Sequence, residues 1–151
     1  MPITINGSGT VTGISAGGLP DACITTAEIA ANAVTTAKLG SAEQSGLCKA
    51  WANFNGTSTV AIRASYNVSS ITDVALGQYT VNFTTAMPDA NYAPTGMAGY
   101  KDATNNNEIT WISLRRSSSS AFSTTACDIT TGFTTSNSGA DCTHVCVAFF
   151  R

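Results

Sequence analysis

Between Lys49 and Tyr92 apolar and polar residues alternate with a period of two, the spacing of a strand with one face buried and one wet. Val60, Ile62, Ala64, Tyr66 and Val68 share one face of this pattern, and Ala61, Arg63, Ser65 and Asn67 share the other. A later run repeats it, with Tyr79, Val81 and Phe83 predicted inward and Gln78, Thr80 and Asn82 outward. Asn55-Gly56 is the dipeptide favoured in a type I′ turn, which predicts a tight hairpin between WANF and the run from Thr59. These runs together read as a β-meander. Beyond Tyr92, Pro94 and Gly96 point to an edge strand or a bulge, and residues 101–107 to a loop. Ile109 to Leu114 reads as a strand with Trp111 on one face and Ile112 and Leu114 on the other. A second loop, Arg115-Arg116 and the serines after it, precedes a strand over residues 121–129 and a long polar connection over 130–141. The last run, 142–150, places Val145, Val147 and Phe149 on one face, so the chain closes inside its own sheet and C-terminal truncation is expected to be costly. The fold class expected is all-β, an antiparallel β-sandwich of seven to eight strands over residues 46–151.

Residues 1–45 follow another rule. Ile14, Leu19, Ile24, Ile29, Val34 and Leu39 recur every five positions, and ITTAEIAANA is followed by the similar VTTAKLGSAE. Five residues turn an α-helix by about 500°, so the apolar positions wander around its axis. On a strand a step of five changes face each time. A solenoid holds such a period, but this stretch is short for one, since solenoids need several stacked repeats. Three copies wound about a shared axis also hold it, each supplying one apolar residue per pentad. A homotrimer is the favoured expectation, with these six residues as its trimerisation and attachment set. Thr25 and Glu28 form a capping-box pattern, so short helical turns are expected within an extended segment.

The string KAWANFNGTSTVAIRASYNVSSITD, followed by QYTVNFTTAMPDANY, closely resembles a C-terminal β domain of bacteriophage tail fibres and related virion fibres, cyanophage-like ones above all. The likeness covers roughly the central third of the chain strongly and the C-terminal part by pattern only. Ala52 stands where the family has a larger apolar residue, Ser58 where glycine is common, and residues 74–77 where a more polar turn is usual. The pentad stretch is also similar to attachment regions of phage fibres. The resemblance implies a virion structural protein, made in the host cytoplasm, that contacts other virion proteins through its N-terminal segment and a host cell-surface carbohydrate through its head.

Composition narrows this further. Charged residues are 11% of the chain, against about 25% in average globular proteins. Hydroxyl side chains take their place, and Thr also suits strands. The net charge of −2 argues against recruitment to nucleic acid. No apolar run reaches bilayer length and no secretory signal is expected at the start, so no membrane insertion is predicted. The cysteines number five, an odd count that favours free thiols over a disulfide framework.

Candidate chemistry is sparse. Cys142, His144 and Cys146 alternate and so are expected to share one strand face as small packing residues. Alternate strand residues lie about 6.5–7 Å apart, too far for one chain to close a zinc site with them, and no metal or other cofactor is expected. A single histidine without a nucleophile elbow makes a weak hydrolytic triad, and no enzymatic activity is expected. Arg115 and Arg116 have the geometry to hold an acidic group, and Asn105, Asn106 and Asn107 to bond sugar hydroxyls, so these loops are the candidate receptor contacts. Trp51 and Trp111 are alternatives as sugar platforms or core residues. The expected function is a trimeric tail-fibre-type adhesin. The alternative, which the short chain favours, is a capsid decoration or collar protein that stabilises the particle.

Overall fold

The computed structural model describes residues 29, 31, 33–40, 43–44, 46–99, 110–115, 121–134 and 138–151. The chain divides into two compact units, residues 1–39 and 40–151. In the first, the described residues form one 3-10 turn, Thr36–Lys38. Its last amide donates to the Thr35 carbonyl at 2.9 Å, and the Lys38 ammonium donates to the Ala33 carbonyl at 2.7 Å.

The second unit is an all-β sandwich of eight strands: β1 (Cys48–Asn55), β2 (Ala61–Tyr66), β3 (Val68–Ala75), β4 (Gln78–Phe83), β5 (Ala93–Gly99), β6 (Thr110–Leu114), β7 (Ala126–Phe133) and β8 (His144–Phe150). One sheet, called front here, has the order β2-β1-β8-β5, and the back sheet has the order β3-β4-β7-β6. Every neighbouring pair is antiparallel. Residues from the two inner faces interlock as the core, with Phe54, Tyr79, Val81, Ile129, Val145 and Phe149 almost wholly excluded from solvent. Burying a side chain of this size contributes roughly 1.5–3 kcal/mol. The rings of Phe83 and Phe149 meet edge to face at 5.0 Å, and Tyr92 approaches both at 5.7 and 5.8 Å. That cluster closes one end of the core.

The alternation in β4 and β8 is as the residues dictate: Tyr79, Val81 and Phe83 are buried, as are Val145, Val147 and Phe149. β5, which carries Pro94, is an edge strand of the front sheet, the place in a sheet where proline is tolerated. Ile112 and Leu114 pack on the core, while Trp111 lies on the other face over Gly132, where a Cβ would meet its ring at 2.4 Å.

Several local expectations are corrected. The meander is two hairpins in different sheets, β1–β2 in front and β3–β4 behind. The chain changes sheets at Asn67, whose φ of 54° is the left-handed conformation asparagine tolerates. The predicted single strand from Thr59 to Val68 therefore breaks in two. A bulge opposite Asn53 and Phe54 leaves Arg63 outside the ladder, so Ile62 packs inward while Ala64 and Tyr66 face outward. One extra residue inverts the alternation after it. The Asn55-Gly56 pair does not form a two-residue I′ turn. The positive φ falls on Ser58, at 55°, and Gly56 serves a close approach, since a Cβ there would lie 2.4 Å from the Tyr79 hydroxyl. The strand expected over 121–129 begins at Ala126, after a turn in which Ser123 accepts the Ala126 amide at 2.9 Å. It runs to Phe133, shortening the expected connection over 130–141.

Candidate functional site

The outer faces of the two sheets differ in the side chains of their central strands. On the front sheet, residues directly opposite across the ladder point to the same side. Tyr66, Trp51, Ala148 and Thr95 form one cross-strand row, and Ala64, Asn53, Cys146 and Met97 form the next. None of these eight side chains carries a formal charge. Trp51 is 39% exposed, Tyr66 59% and Met97 77%. Among the described residues of the second unit the exposed large apolar side chains are Leu47, Trp51, Tyr66, Val74, Leu76 and Met97, so half of these stand in the two rows. Between Trp51, Met97 and Cys146 lies a shallow depression of about 460 Å³. Arg63 donates to Asn53 Oδ1 at 3.4 Å and to the Thr143 carbonyl at 2.7 Å, beside the exposed His144.

β1 shows how the sequence builds this face. Its inward positions include Ala50 and Ala52, both nearly inaccessible, while the indole of Trp51 is turned outward. Small residues inside and a large one outside reverse the ordinary arrangement of a half-buried strand.

The back sheet carries hydroxyls, amides and an ion pair on its outer face beside Trp111, and its strand β3 exposes Val74. The Asn82 amide donates to the Ser70 hydroxyl at 3.1 Å and to the Thr72 hydroxyl at 2.9 Å. The Thr80 hydroxyl donates to Asp128 at 2.6 Å, and the Arg115 guanidinium pairs with the same carboxylate. Arg115 and Asp128 are each 14% exposed in their side chains. These hydrogen bonds are made within the sheet, while Arg115 Nε is buried without a partner among the described residues.

Titratable groups elsewhere in the second unit fasten the fold. The Tyr79 hydroxyl lies 2.9 Å from Asp141 Oδ1 and 3.1 Å from the Gly56 carbonyl, and the same Oδ1 accepts the Gly77 amide at 2.7 Å. Burial, reinforced by the Asp141 carboxylate, holds the Tyr79 phenol well above its usual pKa. Burial does the same to Tyr92, whose hydroxyl lies 2.9 Å from the Ala126 carbonyl. The Cys127 thiol is pushed up to about 11 by burial, and Cys142 is raised by the same cause. Buried thiols of this kind are poor nucleophiles. Arg151 grips Asp89 at 2.9 and 2.5 Å, which draws that carboxyl down to about 2.

Cys142, His144 and Cys146 do not share a face. β8 begins only at His144, so Cys142 lies in the segment before it, inaccessible and turned toward the Ala140 carbonyl, while His144 and Cys146 point outward. Among the described residues no group of three His, Cys, Asp or Glu side chains converges on a point that would hold a metal ion, and no helix is long and apolar enough to cross a membrane.

Of the pentad residues, Ile29 and Val34 are 43% and 59% exposed and Leu39 is half-buried. Ile14, Leu19 and Ile24 lie outside the described residues, as do the Thr25–Glu28 capping pattern, Asn105, Asn106, Asn107 and Arg116. Arg115 is placed at the end of β6, on the back face with Asp128. The residues missed in the sequence are Tyr66, Met97 and Cys146. Only the Ala-Trp-Ala order of residues 50–52 signals the outward apolar face. No family model, curated protein or solved structure matches the chain.

Proposed function

We propose that the chain is a virion structural protein, a trimeric tail-fibre-type adhesin whose sandwich projects toward the host surface. The observation that carries this reading is where the fibre-like words fall. Lys49 to Asp73 and Gln78 to Tyr92 supply most of β1 to β4, the two hairpins that start both sheets. The likeness therefore falls on four consecutive strands and not on a scattered set of residues. The exposed pentad side chains Ile29 and Val34 support an assembly of several copies. The hydroxyl- and amide-rich back sheet is the kind of surface on which carbohydrate hydroxyls exchange hydrogen bonds with Asn and Thr. Three linked heads raise the apparent affinity of weak contacts without any new contact.

The test is location on purified particles, by antibody labelling in electron micrographs, paired with binding of the full chain to intact host cells. Label at fibre tips and saturable cell binding support the adhesin. Label spread over the capsid shell, with no cell binding, replaces it with a decoration protein. Absence from the particle overturns both.

A further inference from the structure

We infer that the outer face of the front sheet is the surface through which the heads of sister chains pack on one another. This rests on the trimeric reading above and assigns that assembly a place on the head.

A back sheet lined by Ser70, Thr72, Thr80 and Asn82 is at ease in water. The front face instead leaves Met97 77% exposed and Tyr66 59% exposed, with Trp51 between the strands that carry them. Contiguous apolar patches with a polar rim mark interaction sites, and here Arg63 and His144 supply polar groups at one end. Trp, Tyr and Met are also the residue types enriched at interface centres.

Charge points to a second copy as the occupant. Around a threefold axis the copies of any residue near the axis face one another, so a charge carried there meets like charges. The two central rows carry none, in a chain whose net charge is −2. Arg63, beside these rows, donates to the Thr143 carbonyl at 2.7 Å and to Asn53 Oδ1 at 3.4 Å, so that cation is engaged within the head. The pentad residues provide the second argument. If residues 14–39 join copies, the heads that follow are held at high effective concentration. Even a modest apolar surface then stays covered.

Cys146 makes the inference measurable, because its exposed thiol stands in the middle of the face, between Asn53 and Met97. In a full-length Cys23→Ser/Cys48→Ser background, Cys127 and Cys142 are inaccessible, and Cys146 is the reactive thiol. Sedimentation, maleimide labelling and cross-linking with a short bismaleimide are compared between this background, the Trp51→Glu/Met97→Glu variant and a Thr72→Glu control on the back sheet. The expected result is a trimer whose Cys146 labels at least about tenfold more slowly than in the Trp51→Glu/Met97→Glu variant and cross-links between chains. Thr72→Glu changes neither. Circular dichroism confirms that both variants keep the sandwich, as expected for exposed positions. A trimer with a freely reactive Cys146 and no interchain cross-link overturns the head interface while leaving the fibre reading in place. A monomeric chain overturns the interface and the trimer together.

Discussion

Asp141 receives the Tyr79 hydroxyl at 2.9 Å, tying the middle of the back sheet to the segment that leads into β8 of the front sheet. The same carboxylate oxygen takes the amide of Gly77 at the β3–β4 turn. One side chain therefore fixes a turn, a core tyrosine and the approach to the last strand. Tyr79→Phe keeps the ring and its edge-on contact with Phe54 at 5.2 Å but removes the hydroxyl. Its expected cost is about 1.5–3 kcal/mol, the usual range for a hydrogen bond to a charged group, read as a lower urea midpoint with an unchanged slope.

Burial raises the pKa of both Tyr79 and Tyr92. A group with a raised folded pKa contributes stability that is complete below its unfolded value, about 10 for tyrosine, and is lost as pH rises through the folded value. The protein is expected to hold its stability up to about pH 10 and lose it above. Tyrosinate absorbance and far-ultraviolet circular dichroism, followed together, are expected to show these two phenols ionising only with cooperative unfolding. The Tyr79→Phe/Tyr92→Phe variant removes that part of the absorbance change. Ionisation of either phenol well before unfolding contradicts the burial argument.

Ser58 and Asn67 both hold positive φ, at 55° and 54°, yet they are expected to respond oppositely to glycine. Ser58 is exposed, and relief of its backbone strain in Ser58→Gly is expected to stabilise the head by about 0.5–1 kcal/mol. Asn67 donates to the Lys49 and Thr85 carbonyls at 3.1 Å each and accepts the Thr85 amide at 2.7 Å. Asn67→Gly loses these bonds and is expected to destabilise by about 1–2 kcal/mol despite the easier backbone. Chemical denaturation of the two variants side by side gives both signs.

The Asp89–Arg151 pair makes an acid-side prediction. Arg151 draws Asp89 down to about 2, below the unfolded value of about 3.9. Its contribution is therefore complete above about pH 4 and disappears as pH falls through about 2. Asp89→Asn is expected to be less stable than the wild type at neutral pH, with the gap closing over that acid window. The gap also narrows in high salt, because the pair is exposed and screened. A gap that stays constant with pH assigns the loss to something other than the ion pair.

The strands read most securely from the residues were those whose two faces differ most. In β4 and β8, bulky residues such as Tyr79, Val81, Val145 and Phe149 alternate with polar or smaller ones, and burial follows directly. β2 was harder because Ile62, Ala64 and Tyr66 look equivalent along the chain. Only pairing with β1 reveals that Arg63 is extra and that Ala64 and Tyr66 therefore turn outward. Gly56 was read as a turn glycine, whereas its requirement comes from Tyr79, a residue distant in sequence. Arg115 reads in the sequence as a loop arginine able to hold an acidic group, and the acid it holds is Asp128, which β7 brings beside it.

The sequence by itself determined an all-β sandwich head and the period of five in residues 14–39, because side-chain alternation and repeat spacing are local properties of the chain. Tertiary structure decided which strands share a sheet, where the chain crosses between sheets, and that Trp51, Tyr66 and Met97 gather on one outer face. Those outcomes depend on register between segments far apart in sequence. A single bulge changes register, and no local pattern records it.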